Sequence, residues 1–489
     1  MLYELLTSSW TLFLAIDHLI VIAIASSHVV LTKRDSRAAL GWVGVIWLAP
    51  FIGGLLYIVF GINRLRRKAR GMRMPRRDNA PKPNQSSFLL TPTELQALLR
   101  TIGHEGSHLQ HLADYVSRIS QQPLLDGNQV RLLEDGDVAY SSMLAAIDSA
   151  EKSIGLSTYI FDNDEAGTAF VEALARAKKR GVEVRVIIDD VGTRYSWPSI
   201  KGHLRRHQIP FTTFLPTLIP WQLQYTNLRN HRKLLIIDGR HGFTGGMNIR
   251  QGHRATNPGR YPIHDIHFEV EGPAVAQMQE TFVDDWAFSS GEELDGDAWF
   301  PTIIPEGFLL ARGVPDGPDS HMDQIRQSIL GALSCAQKSV TIVTPYFLPD
   351  QPLISALGVA AMRGVEVKIL LPEKGNLALV QWASTAQLWQ VLEQNCRIFL
   401  TPAPFDHSKI MLVDGLWSMW GSANWDTRSL RLNFEFNMEA YDPELARQLG
   451  QVIAGKLAKA KEITLADVDS RPLWMRLRDA FARLALPYL

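Results

Sequence analysis

The sequence predicts an α/β protein: two pseudo-twofold-related lobes of mixed β-sheets flanked by helices, preceded by an N-terminal transmembrane helical hairpin. Three observations predict this. First, His231, Lys233 and Asp238 in HRKLLIID recur as His407, Lys409 and Asp414 in HSKIMLVD, 176 residues later, and the offset holds through GGMN (Gly245, Gly246, Asn248) and GSAN (Gly421, Ser422, Asn424). Second, a wider echo surrounds the octets: Lys152-Ser153-Ile154 opens a run ending in TYIF, and Lys338-Ser339-Val340 opens one ending in TPYF. RGVEVRVIID (Arg180–Asp189) likewise returns as RGVEVKILLP (Arg363–Pro372). Third, two long apolar runs, Trp10–Leu31 and Ala38–Ile62, are separated only by TKRDSR.

Taken in order, residues 1–77 read as the hairpin with a polybasic juxtamembrane segment. Each run is long enough to cross ~30 Å of hydrocarbon as a helix, and a signal peptide fits poorly because MLYELL lacks a basic start and a second apolar run follows. Eight Lys/Arg crowd Arg64–Arg77 against three in the short loop. The positive-inside rule therefore places the loop outside and all that follows in the cytoplasm. The same cluster suits anionic headgroups. Asp17 and His18 fall within the first run, where charge is costly and a partner is needed.

Residues 78–125 read as a linker and helical connector, rich at first in Pro, Asn and Ser. Residues 126–310 and 311–470 read as the two lobes: continuous Val/Ile runs alternating with helices mark βα units and largely parallel, doubly covered sheet. HDIHFEVEG (Asp265, His267, Glu269) and FEFNMEAYD (Glu435, Asn437, Glu439) alternate with period two, so one face of each strand is polar and needs partners. Residues 471–489 place Trp474, Leu477, Phe481 and Leu484 against Arg476, Arg478 and Arg483 at helical spacing, an amphipathic helix suited to an interface or to docking on the body.

The net charge is zero, but residues 1–80 carry +7 (eleven Lys/Arg, four acids), leaving −7 on the rest. An acidic body is a poor footprint for nucleic acid. Cys335 and Cys396 suggest neither disulfide framework nor zinc set. His104-Glu105-Gly106-Ser107-His108, with His111 beyond, matches the string HExxH, but its glycine and serine weaken the helix a zinc site needs. Trp197, Pro198 and Phe214–Tyr225 put apolar groups ahead of His231, either as core or as an acyl-chain entrance.

The duplicated His and Lys suit phosphoryl chemistry without a metal or cofactor. Lysines provide point charges for a phosphate gathering negative charge. One neutral imidazole can attack phosphorus, and a second can hand a proton to the leaving alkoxide and take one from the acceptor. Each needs a carboxylate on its other ring nitrogen.

These paired HxKx4D octets, each followed by G(G/S)xN, resemble the phospholipase D superfamily. With the hairpin, the basic stretch, YIFDNDEAG, IIDDVGT and TPYFLPD, they are similar to the bacterial cardiolipin synthases over nearly the whole chain. The resemblance implies a bacterial inner-membrane protein with one active site between two lobes, and transfer of a phosphatidyl group between phosphatidylglycerols, releasing glycerol. It implies His231 as nucleophile, His407 as general acid/base, Lys233, Lys409, Asn248 and Asn424 around the phosphate, and supporting acids crossing between lobes, Glu435 to His231 and Asp265 to His407. Asp238 and Asp414 complete the motif residues, though their place suggests backbone support. The alternatives are a hydrolase using water, phosphatidylserine synthesis or nuclease action on the same machinery, and an inactive lipid-binding scaffold.

Overall fold

The computed structural model describes residues 2–33, 36–61, 88–102, 106–216, 228–318 and 323–484. The polybasic stretch Arg64–Arg77, His104 and Glu105, and most of the Phe214–Tyr225 run therefore lie outside the described residues.

The chain divides into two units, residues 1–69 and 70–489. In the first, α1 (Leu2–Thr32) is followed by α2 (Ser36–Leu48) and α3 (Pro50–Leu56), which ends in a π turn at Tyr57–Gly61. The second apolar run is thus not one helix. Pro50 lacks an amide donor, and Ala49 before it adopts φ −147°, so the helix breaks there. Val29, Ile46 and Tyr57 form a small core, with the Tyr57 hydroxyl 2.8 Å from His28 Nδ1. His18 packs edge-on against Phe51. Among the described residues no helix is long and apolar enough to cross a membrane.

The second unit is organised on one fifteen-stranded sheet. The first lobe supplies β1 (Leu125–Glu134), β2 (Ser153–Thr158), β3 (Glu183–Asp189), β4 (Phe211–Phe214), β5 (Leu234–Ile237), β6 (His241–Gly245) and β7 (Ile266–Glu271). The second supplies β8 (Leu309–Asp316), β9 (Ser339–Val343), β10 (Glu366–Pro372), β11 (Arg397–Thr401), β12 (Ile410–Val413), β13 (Trp417–Gly421), β14 (Glu435–Tyr441) and β15 (Lys461–Ile463). From the centre outward one half runs β1-β7-β6-β5-β2-β3-β4 and the other β8-β14-β13-β12-β9-β10-β11-β15. The two orders match strand for strand until the final β15.

The RGVEV strands behave as read: β2–β3–β4 and β9–β10–β11 are parallel. The octet strands β5 and β12 and their neighbours are antiparallel, so each lobe is mixed. The joining of the two sheets through β1 and β8 has no counterpart in the motif pattern. It removes two open edges that would otherwise present unpaired backbone. A register shift at that seam is filled by Asn128, whose amide donates to the carbonyls of Leu125 and Leu309 at 2.8 and 3.0 Å.

Helices α4 (Pro92–Ile102), α5 (Gln110–Ser120), α6 (Asp135–Ser149), α7 (Glu165–Lys179), α8 (Val275–Ser290), α9 (Gln324–Cys335), α10 (Gln351–Met362), α11 (Ala378–Thr385), α12 (Pro443–Leu457) and α13 (Leu473–Leu484) cover the sheet. One core is shared between lobes: Met278 and Phe282 of α8 and Leu445 and Leu449 of α12 pack with Phe268 and Trp420, whose rings stack 4.7 Å apart. α4 and α5, read as connector, bury Leu95, Leu112 and Val116 in the core of the second lobe.

On the polar strand faces the glutamates find partners. Glu439 and Arg312, both fully buried, form an ion pair, with Trp417 Nε1 3.0 Å from the same carboxylate. Arg312 also reaches the carbonyl of Ala113, which fixes α5. Glu269 pairs with Arg131 and His241.

Candidate active site

Each octet begins before its strand. Asn230 bridges to Phe434 across the lobes, and Asp406 pairs with His264 in the mirror position. The amide of His231 donates to the carbonyl of Phe434 (2.9 Å), and that of His407 to the carbonyl of His264 (2.7 Å). Both histidines are thus held at the lobe junction by backbone of the opposite lobe, nearly buried, with 8–9% of their surface exposed.

The side chains cross over too. His231 Nδ1 lies 2.9 Å from Glu435 Oε2, and His407 Nδ1 lies 2.9 Å from Asp265 Oδ2. An ionised carboxylate accepts only from a donor, so the proton of each imidazole belongs on Nδ1 and the lone pair on Nε2. Glu435 is fixed in turn by Ser422 Oγ (2.5 Å) and Asn433 Nδ2 (3.1 Å). At the place equivalent to Ser422 stands Gly246. A Cβ there would meet both Asp265 oxygens at 2.6 Å and the His407 carbonyl oxygen at 2.9 Å. The Gly/Ser difference in the motif therefore follows the supporting acid: glycine where the shorter aspartate and its histidine crowd the backbone, serine where its hydroxyl steadies glutamate.

Lys233 Nζ donates to the His231 carbonyl (2.7 Å) and Lys409 Nζ to the His407 carbonyl (2.6 Å), which turns both side chains back toward the imidazoles. Burial, aided by the neighbouring lysines, lowers His231 to about 4 and holds His407 well below the usual imidazole range. Burial likewise lowers Lys233 to about 7 and Lys409 to about 8. Burial pushes Asp265 up to about 6 against the pull of Lys409, whereas His231 and Lys233 outweigh burial at Glu435 and keep its carboxyl below the ordinary range. The site thus holds two neutral imidazoles between two lysines whose charge is easily modulated.

The remaining motif residues also hold backbone and loops. Asn248 Oδ1 accepts from the amide of Ile160 (3.1 Å), and Asn424 Nδ2 donates to Ser429 Oγ (3.2 Å), so both brace loops beside the histidines. Asp238 and Asp414 sit at the far ends of β5 and β12, away from the imidazoles. Asp238 accepts from the amides of Glu151, Lys152 and Ser153, and Asp414 from those of Gln337, Lys338 and Ser339. His108 of the HExxH string donates to Asp414 as well (2.8 Å). Asp238 and Asp414 therefore anchor the loops leading into β2 and β9, and the structure gives them no contact with the reacting groups.

Several residues at the site were not singled out from the sequence. The Tyr159 ring packs edge-on to His231 at 5.1 Å and under Lys233 at 5.6 Å; Tyr346 stands 6.5 Å from His407. Both lie in the TYIF/TPYF echo, which was the available signal. His253, buried 6.1 Å from His407 with burial lowering it to about 3, falls in no repeat and left none. Among the described residues, His241, Glu269 and Glu271 come within 4.8 Å of one another, as metal ligands would, but on the β6–β7 ladder.

The family described as "cardiolipin synthase, PLD-like domain" matches residues 143–286 and again 329–456, one match per lobe, and the family described as "phospholipase D-nuclease N-terminal" matches residues 20–61. The major cardiolipin synthase of Bacillus subtilis is 32% identical over 94% of this chain and 95% of its own. A Listeria monocytogenes cardiolipin synthase is 31% identical over 95% and 96%. Among solved structures, a phosphatidylserine synthase from Haemophilus influenzae superposes with a TM-score of 0.60 at 14% identity, covering 76% of this chain and 97% of that one, a likeness of fold.

Proposed function

The chain belongs to the cardiolipin synthase family of phospholipase-D-like proteins, and we propose that it is a phosphatidyltransferase making cardiolipin and glycerol from two phosphatidylglycerol molecules through a phosphohistidine on His231. The observation that carries this reading is the crossed support of the two imidazoles, His231 by Glu435 and His407 by Asp265.

With Nδ1–H held by Glu435, Nε2 of neutral His231 attacks phosphorus. The bond to the glycerol oxygen breaks, and that oxygen takes the proton from His407 Nε2. Burial favours neutral His407, and the phosphodiester's negative charge beside it favours the protonated form. Deprotonated His407 then receives the proton of the second lipid's glycerol hydroxyl, whose oxygen attacks phosphorus and releases His231. Lys233 and Lys409 supply positive charge to the phosphate oxygens in both steps. Asn248 and Asn424 complete the phosphate cradle while keeping the adjoining loops in place.

The substrate is a membrane lipid. We assign the N-terminal unit to the bacterial inner membrane as an anchor with the catalytic body on the cytoplasmic side, a reading supported by its apolar runs, the match at residues 20–61 and the basic stretch after it. Purified full-length protein given phosphatidylglycerol alone in mixed micelles should release one glycerol per cardiolipin. Phosphatidic acid as the dominant product would replace this reading with the hydrolase.

A further inference from the structure

α13 is turned inside out. Its polar side faces the body: buried Asp479 accepts from Arg471 (2.6 Å) and Arg478 (2.8 Å), and the Arg478 guanidinium lies over the rings of Trp382 and Trp474 at 4.5 and 5.6 Å. Ala482 packs with Leu348 and Ala383. Its apolar side faces away. Leu473, Trp474, Leu477, Phe481 and Leu484 are 51–71% exposed and form one stripe at helical spacing. Leu377 and Leu379, at the start of α11, extend the exposed apolar patch beside it. A stripe of this kind along one helix face marks an interaction surface.

Next to the patch lies a cleft of about 170 Å³, lined mainly by apolar groups including Leu371, Leu377, Val380, Leu388, Leu400 and Val468. An apolar cavity of about 150 Å³ takes a benzene-sized guest, so this cleft has room for a comparable length of hydrocarbon. Tyr346 lines it, and the same ring stands 6.5 Å from that of His407. One tyrosine therefore borders both the cleft and the catalytic imidazole.

We propose that this cleft takes an acyl chain of the phospholipid whose phosphate reaches the histidines, and that α13 seats its mouth on an anionic bilayer surface. The inference rests on the phosphatidyl-transfer reading. Charge selects the occupant: half-exposed Arg476 and partly exposed Arg483 flank the apolar stripe, the pattern of a helix lying in an anionic lipid interface. A second copy docked on the same patch would bring these arginines face to face.

The test uses full-length protein carrying Cys335→Ser and Cys396→Ser, reconstituted in phosphatidylglycerol/phosphatidylcholine vesicles. An environment-sensitive dye is placed at Leu477→Cys, at Phe481→Cys or, as control, at Glu444→Cys on α12. Doxyl-labelled lipid should quench the dye at 477 and 481 and not at 444. Separately, Ser384→Trp and Val380→Phe, which narrow the cleft, should raise KM for long-chain phosphatidylglycerol by roughly tenfold and leave KM for a short-chain, water-soluble phosphatidylglycerol unchanged. Active protein with unquenched dyes at 477 and 481 would overturn bilayer seating, and dye proximity between two copies would assign the patch to self-association instead. An equal KM effect on both lipids, or none, would overturn the acyl site. Failure of the wild type to make cardiolipin would instead sink the transfer reading, while the quenching pattern would still report on α13.

Discussion

At the residue scale the two histidines share a chemistry but not an environment. Glu435 stays ionised and is braced by Ser422 and Asn433; Asp265 is pushed up to about 6 and fits only because Gly246 beside it has no side chain. The firmer anion stands behind His231, where it can stabilise the positive charge that builds on an imidazole bonded to phosphorus. Glu435→Gln keeps the shape but removes that charge and permits the wrong tautomer. It should lower kcat by roughly 10²–10⁴ with little change in KM, measured by glycerol release; an unchanged kcat would remove Glu435 from the mechanism. The pH profile follows from the same burial. His231 must be neutral to attack, and at about 4 it remains so through the acidic range. The lysine charges are present at low pH and are lost as pH rises through about 7 for Lys233 and about 8 for Lys409. Consequently kcat/KM should fall as pH rises through about 7 and then about 8, as the lysine charges are lost. A profile still level well above about 8 would contradict the lowered lysines.

At the scale of elements, the octet divides its labour along one strand. Its histidine and lysine lie at the lobe junction, and its aspartate pins the loop into the neighbouring strand at the other end. Spacing alone exposed the repeat, and the loop-holding part of Asp238 and Asp414 was legible from their distance along β5 and β12. The burial of α4 and α5 in the second lobe was not, because Leu95, Leu112 and Val116 read equally well as one face of a free helical connector. Their attachment runs through Arg312, an arginine in a strand far along the chain that nothing local connects to Ala113 or Glu439. Removing one partner of a buried ion pair strands the other charge. Arg312→Met should therefore cost about 3–5 kcal/mol in urea unfolding, and Arg312→Met with Glu439→Leu should recover most of it. A single substitution without effect would mean the pair is not buried in solution.

At the scale of the whole molecule, two copies of one unit share a continuous sheet, a core and a single site. The pseudo-twofold relation was legible because the 176-residue offset persists from histidine to asparagine. The β1–β8 seam was not, since neither strand carries a repeated motif. The second apolar run reads as one span in composition, yet Pro50 divides it, because hydropathy counts side chains and a missing amide donor acts through the backbone. Since each lobe supplies the carboxylate for the other's histidine within one chain, mixing inactive His231→Asn protein with inactive His407→Asn protein should restore no activity; recovery would require exchange of lobes between chains. The central claim, that His231 carries the phosphatidyl group while His407 moves protons, is tested most directly by mass spectrometry of protein quenched in alkali during turnover. The account predicts a phosphatidyl adduct on His231, enriched in His407→Asn and absent in His231→Asn. An adduct on His407, or none in any variant, would contradict it.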